Sequence, residues 1–130
     1  MSVQQDIQRM NEFFNLYGTG KAWDEIGAEF SSFYDKEVVY DIGADSSLGY
    51  DQLVAFGKQA FDGKASFKLD KIEAREEGIY SSGWMNFPGV GEGKYVQSVS
   101  KFKDGKFVYI KNVDSASDEA LQKVAEQNVL

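Results

Sequence analysis

The chain has 130 residues, 42% of them hydrophobic and 15% aromatic, and carries a formal charge of −7 with a pI near 4.6. That length fits a single domain, residues 1–130, around one core, and the composition is too apolar for a disordered chain. The acidic balance argues against nucleic acid or anionic membrane surfaces as partners, and the absence of both cysteine and histidine excludes disulfides, thiolate nucleophiles, imidazole relays and zinc held by Cys or His.

In chain order, Val3, Ile7, Met10, Phe14 and Tyr17 recur at helical spacing and predict an amphipathic helix over about 3–17, with Phe13 at the edge of its stripe and Gly18-Thr19-Gly20 as its end. Trp23, Ile26, Phe30 and Phe33 predict a second helix over about 22–34, lying against the first because the link is short. Residues 37–42 alternate as a β-branched strand, with Val39 and Asp41 on one side and Val38 and Tyr40 on the other. A hairpin-like return leads to a third helix that opens at Gly49, is lined by Leu53, Phe56, Gly57 and Ala60, and closes at Asp62-Gly63.

Four extended segments follow. Residues 66–76 alternate as Phe67, Leu69 and then Ile72, Ala74, and the slip of phase between Leu69 and Ile72 predicts a bulge and a bend. Residues 79–87 continue the sheet, 88–93 form a loop, and 94–103 with 106–113 form a hairpin around Asp104-Gly105. A two-residue turn there would place Phe102 opposite Phe107, Ser100 opposite Tyr109 and Ser98 opposite Lys111, with Val99 facing Ile110, Gln97 facing Asn112 and Tyr95 facing Asp114. From Ser115 or Ser117 to Leu130 the sequence reads as a last helix, with Asp118 and Glu119 in its first turn and a thin stripe of Leu121, Val124 and Ala125.

No apolar run approaches the ~20 residues of a spanning helix and the first residues lack a secretory-signal layout, so the expected location is the cytoplasm. With no histidine, proton transfer near neutral pH falls to a carboxylate, Lys or Tyr with a shifted pKa. The order of elements sets one carboxylate, Asp41, on a strand hemmed in by aromatic helices, as in a pocket with a single polar group inside. Gly89-Val90-Gly91-Glu92-Gly93 joins two strands and lacks the Lys and hydroxyl of a phosphate cradle, so it reads as a loop at the cavity mouth, and no cofactor is expected. Asp41 and Asp45 alone are too few ligands to predict a metal ion.

Four stretches in this order, F-F-N-L-Y-G-T-G-K-A-W-D-E-I at 13–26, F-Y-D-K-E-V-V-Y-D at 33–41, L-G-Y-D-Q-L-V-A-F at 48–56 and F-K-D-G-K-F-V-Y-I at 102–110, make the chain resemble the nuclear-transport-factor-2-like superfamily. The resemblance covers about residues 3–114, includes the SnoaL-like polyketide-cyclase and ketosteroid-isomerase branches, and leaves residues 115–130 as a helical extension. It implies an α+β, cystatin-like cone: a curved antiparallel sheet wrapped around the N-terminal helices, enclosing a mostly apolar cavity and commonly dimerising through the sheet. On the V-V-Y-D match the family's catalytic carboxylate falls at Asp41, its hydrogen-bonding Tyr at or near Phe13, and its protonated Asp at Ser98. Phe13 has no donor and a Ser is not a carboxylic acid, so steroid isomerisation is not expected, and Tyr17, Trp84 or Asn86 would have to stand in as donors.

Two readings follow. One is a domain binding a small apolar molecule, with a pocket of Phe13, Phe14, Tyr17, Val39, Trp84, Asn86 and Ser98, and with any lyase, isomerase or cyclase chemistry resting on Asp41. The other is a non-enzymatic module, a homodimer through the sheet or a partner for other proteins.

Overall fold

The protein is described by a computed structural model over residues 2–43, 45–86, 88 and 93–113. Helix α1 (Val3–Asn15) begins at a capping box: the Gln5 N–H donates to Ser2 Oγ at 3.2 Å and the Ser2 N–H to Gln5 Oε1 at 2.9 Å. Two of the amides that a helix N-terminus leaves bare are thereby satisfied. The chain then tightens into a 3-10 turn, Leu16–Gly18, which carries Tyr17 beyond the end of α1. Helix α2 (Trp23–Ser32) has no side-chain cap at Ala22; the Trp23 N–H instead donates to Asp62 Oδ1 at 3.2 Å, on the last residue of α3 (Tyr50–Asp62). α3 opens at Gly49 as its sequence predicts, with the Gly49 N–H donating to Gln52 Oε1 at 2.8 Å. α2 and α3 meet at Gly57, where an added Cβ would stand 2.3 Å from the ring of Phe30.

Strands β1 (Tyr34–Gly43), β2 (Ser46–Leu48), β3 (Ser66–Arg75), β4 (Gly78–Asn86), β5 (Lys94–Lys103) and β6 (Lys106–Asn112) form one six-stranded sheet in the order β2-β1-β6-β5-β4-β3. The architecture is the expected α+β one, a curved sheet over the helices that does not close on itself. It is mixed rather than purely antiparallel, because β1 and β6 run parallel while every other neighbouring pair is antiparallel. β1 starts earlier than its alternation suggests, since the Phe107 N–H already donates to Phe33 O at 2.8 Å where α2 ends.

Of the register shifts in the sheet, two interrupt the run from β3 to β6. The first falls between Leu69 and Lys71 against β4, where the apolar alternation slips. The second alters the hairpin register. Asp104 and Gly105 form the two-residue turn with φ of 53° and 78°, and Phe102 faces Phe107. Val108 is then passed over, so Lys101 pairs with Tyr109, Ser100 with Ile110, Val99 with Lys111 and Ser98 with Asn112, one residue out from the pairs that an uninterrupted ladder predicts. The cause is side-chain parity: Phe107 and Ile110, buried at 3% and 5% exposure, are three apart and can share a face only across an extra residue. The predicted C-terminal helix, Asp114 as the partner of Tyr95 and most of the loop at 88–93 lie outside the described residues.

Phe13, placed by its spacing at the edge of a stripe, is the hub of the core. Its ring centroid lies 5.1–5.7 Å from those of Phe14, Phe30, Phe33, Tyr34 and Phe107, so one side chain joins α1, α2, β1 and β6. Because the Phe30 ring occupies the space above Gly57, Gly57→Ala should lower the unfolding free energy by about 1–3 kcal/mol in urea titrations. Gly18→Ala, with nothing within 4 Å of the added carbon, should stay within about 0.5 kcal/mol of the parent.

Candidate functional site

Between the helices and the inner face of the sheet lies a cavity of about 80 Å³. An apolar cavity of about 150 Å³ holds benzene and most ligand sites run from roughly 300 Å³ upward, so only a very small molecule fits until a wall yields. The helical side consists of Phe13, Phe14 and Tyr17 with Leu53 and Phe56 of α3. The sheet side consists of Tyr40, Ser81, Met85, Val96, Ser98, Ser100 and Ile110. Each of these strand residues points inward by simple alternation: Ser81 and Met85 along β4, Val96, Ser98 and Ser100 along β5. Phe67 closes one flank, stacked on Phe14 with centroids 4.4 Å apart and planes 14° apart.

Hydroxyl groups supply the polarity of this lining. Ser81 Oγ and Ser98 Oγ are 3.3 Å apart, and the Tyr40 hydroxyl donates to Asn112 Oδ1 at 2.9 Å. Burial pushes the Tyr17 phenol well above its ordinary pKa, and the neighbouring Tyr40 phenol adds to the shift. Tyr34 is raised likewise, first by burial and then by Tyr17 and Tyr40. These phenols are neutral donors at physiological pH. Among the described residues, no Asp, Glu, Lys or Arg lines the cavity, and no three potential metal-ligating side chains gather anywhere.

Of the residues singled out from the sequence, Phe13, Phe14, Tyr17 and Ser98 line the cavity and four others do not. Asp41 is on the opposite face of the sheet. On β1 the inward side is Val38, Tyr40 and Ile42, and the intervening Val39 and Asp41 face out. Asp41 stands opposite Lys111, its Oδ1 accepting the Gly43 N–H at 2.9 Å and its Oδ2 the Tyr109 hydroxyl at 3.2 Å. It cannot serve as a base toward anything held inside. Val39 is 42% exposed, and Trp84 is 53% exposed on the outer face beside Tyr95. Asn86 is exposed at the end of β4.

Sequence reasoning missed Tyr34, Tyr40, Ser81 and Ser100. A signal for Tyr40 was present: Val38, Tyr40 and Ile42 make a more apolar face than Val39 and Asp41, and the more apolar face of a half-buried strand turns to the core. Ser98 and Ser100, two apart on one strand, share a face by the same rule.

No protein-family model matches the chain, and no curated protein matches it. Solved structures do. A de novo designed protein with a curved β-sheet superposes with a TM-score of 0.71 at 16% identity, over 100% of both chains. An LEH-like epoxide hydrolase of M. tuberculosis gives 0.66 at 15% identity, covering 97% of this chain and 92% of that one. An NTF2-like protein of unknown function from Cytophaga hutchinsonii gives 0.65 at 10% identity, covering 86% and 92%. Polyketide-cyclase-like and ketosteroid-isomerase-like proteins have the same shape. At these identities the likeness is one of fold, and the fold is the one that the sequence resemblance implies.

Two titrations test the electrostatics. Desolvation, the Asp41 charge and the hydrogen bond to it all raise the Tyr109 phenol, so Asp41→Asn should lower the Tyr109 pKa without restoring it fully, as read from tyrosinate absorbance. Tyr17 and Tyr34 have folded pKa values above the unfolded value of about 10. Their contribution to stability is therefore complete below about pH 10 and is lost as pH rises toward the folded values. Tyr17→Phe should move the alkaline unfolding midpoint upward, followed by circular dichroism.

Proposed function

We propose that this nuclear-transport-factor-2-like fold binds a small, neutral, mostly apolar molecule carrying a hydrogen-bonding oxygen, and holds it without acid–base chemistry. The observation that carries this reading is a cavity whose only polar side chains, among the described residues, are Tyr and Ser hydroxyls. A charged ligand would lose its hydration there with no counter-charge to replace it, at a cost of several kcal/mol. A carbonyl or hydroxyl oxygen meets donors and acceptors at Ser81, Ser98 and the tyrosines. Proton abstraction next to a carbonyl needs a base as well as a donor for the developing anion. Asp41 is on the far side of the sheet, Phe13 offers no donor, and phenols with raised pKa values donate well but remove protons poorly at neutral pH. The chemistry of similarly shaped enzymes is therefore not carried over to this chain.

Access for anything as large as a ring requires the Phe14 and Phe67 pair to part, since both are only partly buried and together form a wall of the cavity. Thermal unfolding with phenol and cyclopentanone, and with benzoate as the charged counterpart, tests the proposal. A ligand at ~100 times its dissociation constant adds about 2.7 kcal/mol of stability. The neutral compounds should raise Tm and benzoate should not. Ser98→Val, which removes a hydroxyl and narrows the cavity, should abolish the response, whereas Asp41→Asn should keep it in full. A response to benzoate alone, or one lost in Asp41→Asn but kept in Ser98→Val, would overturn the reading.

A further inference from the structure

One part of the cavity wall is itself a flat ring. Phe67 turns to the inner face of β3 opposite Met85, and the tip of its ring lies against Gly83 of β4, where an added Cβ would stand 2.4 Å from Cζ and 2.9 Å from Cε1. Gly83 belongs to the inward row that also holds Ser81 and Met85, so its missing side chain leaves a notch, and the Phe67 ring fills it. On its other side that ring stacks on Phe14, with centroids 4.4 Å apart and planes 14° apart. Phe67 is thus held between an aromatic face and bare backbone, as a bound ring would be.

Of the stacked pair, Phe67 is the one free to leave. Phe14 is on α1 with its ring 5.5 Å from that of Phe13, the hub of the core. Phe67 is on β3, an edge strand that pairs, among the described residues, with β4 alone. No residue of β3 is buried, and its register breaks between Leu69 and Lys71, two residues beyond Phe67. Segments with so few buried contacts open at lower cost than the core does. The cavity of about 80 Å³ is roughly half of the ~150 Å³ that holds benzene, and an outward turn of Phe67 adds the room of one phenyl ring.

The seat so vacated has one polar end. Val96 stands opposite Gly83, while Ser81 is two residues further along β4, about 7 Å away, with Ser98 opposite it. The two serine oxygens are 3.3 Å apart. One hydroxyl hydrogen can lie between them, and the second can turn to a ligand oxygen.

Resting on the reading of this cavity as a binding site, we propose that Phe67 is its resident occupant and gate. A flat six-membered ring bearing one oxygen takes the place of the Phe67 ring, stacks on Phe14 beside Gly83 and turns its oxygen to Ser81 and Ser98. The ligand class is therefore aromatic, because a puckered saturated ring cannot lie flat on Phe14. Binding to the parent protein is weakened by the fraction of time that the gate is shut, and removal of the ring lifts that cost.

The test titrates the full chain and Phe67→Ala, its fold checked by circular dichroism, with phenol, cyclohexanol and benzene in ¹⁵N spectra. Phenol should bind the variant about tenfold more tightly than the parent, as expected for an open state populated at roughly 10%. Benzene, which has no oxygen, should bind the variant and not the parent. Phe14→Leu added to Phe67→Ala should weaken phenol binding about two- to tenfold and leave cyclohexanol unchanged. Phe67→Leu, which keeps an apolar side chain without the ring, should give the same order of affinities and serves if the alanine variant does not fold. Phenol bound as tightly by the parent as by the variants would overturn the gate and leave the binding reading intact. Benzene bound by the variants as tightly as phenol would support the gate and overturn recognition of an oxygen. Binding of neither compound to any of the proteins would overturn both.

Discussion

The parallel pairing of β1 with β6 is the constraint on which the site depends. It begins where the Phe107 N–H meets Phe33 O and ends where Asp41 stands opposite Lys111. A parallel pair cannot be closed by a hairpin, and here the intervening chain includes β2, α3 and the three strands β3, β4 and β5. Local turn geometry therefore has no part in its register, which is set by the side chains that must be buried. Val38, Tyr40 and Ile42 go in, and everything between them goes out. That single choice of face puts a phenol in the cavity and a carboxylate outside it.

The same burial explains why the cavity is small and uncharged. Rings from α1, α2, β1 and β6 converge on Phe13, and the glycine at 57 lets Phe30 come down among them. What space remains is bounded by serines from the inner faces of β4 and β5 and by tyrosines whose hydroxyls are kept protonated by desolvation. An interior of this kind is what the proposed binding role rests on. It supplies hydrogen bonds from hydroxyls but, among the described residues, no group that changes its charge near neutral pH.

How far the sequence revealed this depends on how local each feature is. The opening of α3 at Gly49, the turn at Asp104-Gly105 and the bulge after Leu69 are written within a few residues, and each is where its local pattern puts it. The bulge at Val108 is not local: it arises because Phe107 and Ile110 are both claimed by the core, which only the assembled sheet decides. Asp41 and Trp84 went astray for a related reason. A carboxylate beside β-branched residues and an indole in a strand look like site residues on either face, and alternation alone does not say which face is covered. Ser98 came from resemblance and lines the cavity; its partner Ser81 had no such pointer and emerged only from the pairing of β4 with β5.

Among the described residues the sheet does not close and ends in two edge strands, β2 and β3, and an uncovered edge is a template on which foreign strands could grow. At one border β2 is three residues long, too short to nucleate much. At the other, β3 is ten residues long and would be a hazard if it were flat. The bulge after Leu69 breaks its rhythm, and Lys71, Glu73 and Arg75 follow at once, with Glu73 held between the other two at 3.6 Å and 2.6 Å. An incoming strand would have to straighten that kink and desolvate those charges. Amyloid-like extension is thus discouraged at both of these edges.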